Sequence, residues 1–162
     1  MTHKKILKRA KSGKTNYHKR RVMLMSKREF ITVKISNENT LVQIHKPEFI
    51  GDVVIASAHS RFLINKGWKG SRKNIPAAYL TGYLAGKKSI IRGTSNAILY
   101  SGTDKYTHRM AAALKGLIDA GLQIPADHKT FPSKQRINGA HLSIQNNIED
   151  IKSIIDKVTI NE

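Results

Sequence analysis

Three apolar segments fall between residues 30 and 58 with only short polar turns between them. This spacing restricts the fold more than any other feature of the chain. The first segment, "FITVKIS" (30–36), alternates, with Ile31, Val33 and Ile35 on one face, the period of a half-buried strand. "NENT" (37–40) is a turn cluster, and "LVQIH" (41–45) supplies a second strand, so the pair is predicted to form a hairpin. After a turn marked by Pro47 and Gly51 comes "VVIASA" (53–58), a near-continuous apolar run of the kind expected in a strand covered on both faces. Hairpin-length connections permit only antiparallel neighbours.

Helical patterns follow. "SRFLINKG" (60–67) is predicted as a short helix stopped by Gly67, with Ser60 as its N-cap. Pro76 opens a longer helix, "PAAYLTGYLAGKKSIIRG", which ends at Gly93; Ala77, Leu80, Leu84 and Ile91 suit one buried face. "AILYSG" (97–102) is a fourth strand, and "HRMAAALKGLIDAG" (108–121) a small-residue-rich helix closed by Gly121. A long helical crossover makes the fourth strand parallel to its neighbour. The order β-β-β-α-β-α predicts an α/β fold, a mixed sheet with helices on its faces. Residues 29–122 form this core, 1–28 an extended basic arm, and 123–162 a C-terminal extension. In the extension, Ile144, Ile148, Ile151, Ile155 and Val158 recur at helical steps, predicting a helix over 141–158. Its charges nearly cancel, so it is expected to dock on the core or on a protein.

Charge placement points to the partner. The 162 residues carry 29 Lys+Arg against 11 Asp+Glu, a net charge of +18. The first 28 residues hold eleven cations and no acid. A second acid-free stretch, 53–103, holds eight more, among them Arg61, Lys69, Arg72 and Lys73. Such an excess is expected to meet a polyanion, nucleic acid first and an anionic membrane surface second. Cysteine is absent, which excludes disulfides and thiolate metal sites. No apolar run approaches the ~20 residues that span a bilayer, and no secretory signal is evident, so a cytoplasmic protein is expected.

The motifs favour binding over catalysis. Gly13-Lys14-Thr15 resembles the end of a P-loop, but Lys8 stands where its first glycine belongs and no strand precedes it. The segment suits RNA instead. Lys14, Lys19, Arg20 and Arg21 can contact phosphates, Asn16 and His18 can bond bases or 2′-hydroxyls, and Tyr17 offers a stacking face. His59 and Ser60 are adjacent and lack a nucleophile elbow, so no base–nucleophile pair is expected there; His59 and Arg61 are candidates for RNA contact. "GWKGSRKN" (67–74) combines the sole tryptophan with two glycines and three cations, so Trp68 either packs on the core or joins a phosphate-binding loop. Histidines have no ligand spacing, and the acids lie in turns or at element ends, so neither a metal site nor a two-metal nuclease is expected. A basic nuclease on the same core and an architectural DNA-binding protein stand as the alternatives.

"GKTNYHKRR", "SAHSR", "GWKG" followed after five residues by "PAAYLTG", and "AALKGLIDAGLQIP" occur in that order. Together they resemble the archaeal form of the universal large-subunit ribosomal protein eighteen family, whose eukaryotic relative is large-subunit protein five. "FPSKQRINGAHL" (131–142) also matches the region after that family's core. The resemblance implies a ribonuclease-H-like topology without its active site. It further implies a structural role, in which 5S rRNA is bound and docked onto large-subunit rRNA at the central protuberance beside neighbouring ribosomal proteins. No enzyme activity, cofactor, metal, small-molecule substrate or membrane is implied. Carried over by motif, the RNA-facing positions are Lys14, Thr15, Asn16, Tyr17, His18, Lys19, Arg20 and Arg21; His59, Ser60 and Arg61; and Trp68, Lys69, Gly70, Ser71, Arg72 and Lys73. Lys4, Lys5, Lys8, Arg9 and Lys11 join them on charge alone.

Overall fold

The computed structural model describes residues 7–48, 50–142 and 147–159. Strands β1 (Glu29–Ile35), β2 (Thr40–Lys46) and β3 (Val53–His59) form the predicted antiparallel meander. The short β4 (Ala97–Leu99) pairs parallel to β1, giving the order β3-β2-β1-β4. The sheet is therefore mixed, with one parallel pair, and the fold is α/β. β4 ends three residues before the expected limit, although the Tyr100 N–H still reaches the Ile31 carbonyl at 2.8 Å.

Alternation sorts β1 onto two faces. Ile31 and Val33 are buried with Val42, Ile44, Ala56 and Ala58 in the main core. Helix α3 (Ile75–Ile91) covers that face, packing on β2 and β3. Its start is capped by the Asn74 side chain, which accepts the Ala77 N–H at 2.9 Å, with Pro76 in the first turn. The expected single buried face is an underestimate. Every residue from Pro76 to Gly86 is buried, whereas Ile91, assigned to the buried face, is exposed. The reason is packing on several sides: α4 (His108–Asp119) and α6 (Ile148–Thr159) also lie against α3.

The α3–α4 contact depends on glycine. A Cβ at Gly82 would lie 2.1 Å from the Ala113 carbonyl oxygen, and one at Gly116 would lie 2.1 Å from that of Tyr79. The small residues let the two backbones touch.

The final helix begins at Ile148, not near 141: His141 and Leu142 lie in a turn. Ile144 and the side chain of Val158 lie outside the described residues. Ile148, Ile151 and Ile155 are buried in the core cluster, so the core itself covers the isoleucine stripe. Polar contacts fix the same interface. The Tyr83 hydroxyl donates to Asp156 at 3.0 Å, Lys87 pairs with Asp156 at 3.1 Å, and the Lys152 ammonium stands 4.8 Å from the Tyr79 ring centre.

Two further expectations are corrected. β3 is an edge strand whose Val53 and Val54 are half exposed, so its apolar run is not covered on both faces. Residues 60–66 form a 3₁₀ segment capped by His59, whose Nδ1 accepts the Arg61 N–H at 3.1 Å; Ser60 is not the cap.

Candidate nucleic-acid interface

The basic arm is helical where an extended chain was expected. α1 (Lys8–Lys11) and α2 (Tyr17–Leu24) flank the Gly13 turn. Asn16 initiates α2 by accepting the Lys19 N–H at 2.9 Å, so its side-chain oxygen caps the helix while the residue stays exposed. Arg20 anchors the arm. Its guanidinium donates to Asp52 at 2.5 Å and lies 5.5 Å from the Phe30 ring centre and 5.6 Å from that of Tyr100. Those two rings stack 5.5 Å apart. Arg20 is thus committed inside the fold and is not a free phosphate ligand.

The arm lies on the sheet face that α3 leaves open. Phe30, Thr32 and Lys34 point there because they alternate with the core residues of β1. Arg9, Lys14, Thr15, Tyr17, Arg20, Thr32, Lys34 and the 100–103 segment line a groove of about 630 Å³ between arm and sheet. Lys8, Lys11, Lys14, Tyr17, His18, Lys19 and Arg21 are solvent-accessible on the arm. Arg9 donates to the Thr15 hydroxyl at 3.0 Å, and Lys19 reaches the Ser101 hydroxyl at 3.4 Å. Lys4 and Lys5 lie outside the described residues. On the groove's floor Thr32 bonds His45 at 2.8 Å. Burial lowers the His45 pKa below the ordinary histidine value; the Arg20 charge adds to the effect and Asp52 opposes it.

The other two candidate segments meet at the β1–β2 turn. Ser60 is fully buried: its hydroxyl accepts the Thr40 N–H at 3.0 Å and donates to Asn39 at 3.4 Å. It holds the corner together and cannot face RNA. Trp68 is also corrected. It is 4% exposed within the core, and its indole N–H donates to the Ser71 carbonyl at 3.2 Å. The tryptophan shapes the loop from inside. Arg72 donates to Glu38 at 3.3 Å, and its carbonyl accepts from the Thr40 hydroxyl at 3.4 Å. His59 is half buried as the 3₁₀ cap, while Arg61, Lys69, Gly70, Ser71 and Lys73 lie at the surface.

The fold also gathers cations that the sequence pattern did not single out. Lys34, Lys105 and Arg109 join Lys73 around a cleft of about 530 Å³. Lys34 follows from strand alternation, but Lys105 and Arg109 come just after Asp104 and so fall outside the acid-free stretch. Among the described residues, no three His, Asp or Glu side chains group to hold a metal ion, and no helix is long and apolar enough to cross a membrane.

Known proteins match this chain along most of its length. The family model for "Ribosomal large subunit proteins 60S L5, and 50S L18" matches residues 2–109. The large ribosomal subunit protein uL18 of Thermofilum pendens is 45% identical over 139 residues, covering 85% of this chain and 71% of that protein. The protein of the same name from Aeropyrum pernix is 44% identical over 140 residues, 85% of this chain and 65% of that one. The Saccharolobus solfataricus protein is 45% identical over 139 residues, 84% and 69% of the respective lengths. A basic α/β chain with this helical arm, this sheet and these relatives belongs to the uL18 family of large-subunit ribosomal proteins.

Proposed function

We propose that the chain is a structural constituent of the large ribosomal subunit that binds 5S rRNA through its arm and docks it onto large-subunit rRNA at the central protuberance. The observation that carries this reading is the anchored arm. Asp52, Phe30 and Tyr100 hold α2 against the sheet through Arg20, which leaves Lys14 and Tyr17 lining the groove and His18 and Arg21 exposed on the same arm. Cations supply sequence-independent affinity for phosphates, and the 40%-exposed Tyr17 supplies a face for an unstacked base. Lys8, Arg9 and Lys11 extend the cationic surface, Lys4 and Lys5 join them on charge alone, and Arg61 and Lys69 to Lys73 add a second contact region at the β1–β2 turn. The role is one of assembly, exercised on the ribosome in the cytoplasm among neighbouring proteins, with no reaction catalysed.

The test is a titration of the full chain against 5S rRNA and an unrelated structured RNA of equal length. The 5S rRNA should bind more tightly, and Tyr17→Ala should weaken it by about 1–3 kcal/mol without lowering the melting temperature. Equal affinity for both RNAs refutes the assignment.

A further inference from the structure

We infer that the cleft around Lys105 is a second RNA-backbone site, continuous with the arm groove, through which the bound rRNA extends past the β4–α4 loop. The inference deepens the 5S rRNA reading and rests on it for the identity of the RNA. Four cationic side chains, Lys34, Lys73, Lys105 and Arg109, border this cleft against one acid, Asp104. That acid is matched already, at 2.5 Å from Lys34. Lys73, Lys105 and Arg109 have no ion-pair partner among the described residues. They come from three separate places in the chain: the loop before α3, the β4–α4 loop and the first turn of α4. The fold therefore concentrates positive charge where sequence proximity does not. Like charges gathered without counter-ions repel one another, so the arrangement suits a ligand that brings negative charge.

Continuity identifies that ligand as RNA backbone. Lys34 borders both the arm groove and the cleft. Thr103, immediately before the cleft, lines the groove beside Lys14 and Tyr17. An RNA strand lying against the arm therefore meets the cleft next along the same surface. Phosphates spaced along one backbone satisfy separate cations in a row, which a single small anion cannot do.

The experiment uses the full chain and a Lys73→Gln, Lys105→Gln, Arg109→Gln triple variant. Each is titrated with 5S rRNA and with an unrelated RNA of equal length over 50–300 mM KCl, with melting curves as a folding control. Three lost phosphate contacts should flatten the log–log salt slope by about two and weaken binding on the order of a hundredfold at 0.1 M salt. The single Lys105→Glu variant, a surface change, should weaken binding in the same direction and serves if the triple variant melts early. An unchanged slope in both overturns the inference and leaves the 5S rRNA reading standing. An unchanged slope with failed incorporation into the subunit also overturns it, and assigns the cleft to an acidic protein segment. Loss of 5S preference by the unmutated chain refutes the 5S reading, while the slope comparison on either RNA still decides the cleft.

Discussion

Replacing Gly116 by alanine tests whether the core is built on direct contact between α3 and α4. Alanine is the better helix former by about 1 kcal/mol, so an exposed helix would gain from the change. Here the new methyl would sit 2.1 Å from the Tyr79 carbonyl oxygen and 2.8 Å from the Tyr83 nitrogen. Both are backbone atoms in the middle of a buried helix, and neither can rotate away. Ordinary contact begins at 3.4 Å, so α4 must retreat from α3 by on the order of 1 Å. Overpacking of this kind costs about 1–3 kcal/mol, occasionally more, and an immovable neighbour places it at the upper end. After the propensity gain, the net loss should be about 2 kcal/mol. For a chain of this length that is a fall of about 4–8 °C in Tm. Gly82→Ala meets the Ala113 carbonyl at the same 2.1 Å and should behave alike. One separation of the helices relieves both clashes, so the double variant should lose less than the sum of the two. Gly51→Ala, where a Cβ meets nothing within 4 Å, is the control and should change stability by less than about 0.5 kcal/mol. Urea and thermal melts followed by circular dichroism measure all four. A Gly116→Ala protein that melts at or above the parent temperature would refute the close-contact account.

Other residues give separable outcomes. Trp68→Ala should cost about 3–5 kcal/mol of stability in a urea melt, because a core side chain is removed; weakened RNA binding with unchanged stability would return the tryptophan to the interface. Ile155→Ala, at a fully buried position of α6, should cost about 2–5 kcal/mol in the same assay. His45 has a folded pKa below its unfolded value near 6.5, so the unfolded chain binds more protons. Its contribution is complete above pH 6.5 and is lost as pH falls toward the lower folded pKa; Tm measured from pH 7.5 to 5.5 should drop less steeply in His45→Gln. Arg20→Gln should leave core stability within about 1–2 kcal/mol of the parent, since it removes one partly exposed ion pair and a cation–π contact. It should nevertheless raise amide exchange across residues 17–24, and unchanged exchange there would show that the arm is held by something else.

Local pattern made much of this architecture legible. The alternation of β1, the turn at 37–40, the helix start at Pro76 and the stop at Gly121 point directly to the hairpin, α3 and α4. What pattern could not express was which apolar segments meet. "VVIASA" reads as a buried strand in isolation, but the sheet order leaves it at an edge. Trp68 has the company of an RNA-binding loop in sequence, while in space its ring packs in the core and the Ser71 carbonyl accepts its N–H. Ser60 was visible as a polar residue at a corner; its burial depends on Thr40 and Asn39, twenty residues upstream. The arm's basic character was plain, but its helix depends on Asn16 as a cap and on an acid, Asp52, far along the chain. Lys105 and Arg109 follow an acid in the sequence, and only the fold brings them beside Lys73.

The docking of α6 on α3 has a consequence in time. α3 is made long before its last covering element, and the chain between Ile91 and Ile148 takes roughly 3–11 s to synthesise at about 5–20 residues per second. Through that interval the side of α3 that α6 covers, around Tyr83 and Lys87, is open while most of the cations have already emerged. The nascent chain is then at its most adhesive, sticky toward RNA and toward other unfolded chains together. Arrival of Ile148, Ile151 and Ile155 closes the apolar side and brings Asp156 to Tyr83 and Lys87. Arrival of α6 is therefore the step that removes the apolar contribution to this adhesion and leaves the exposed charge.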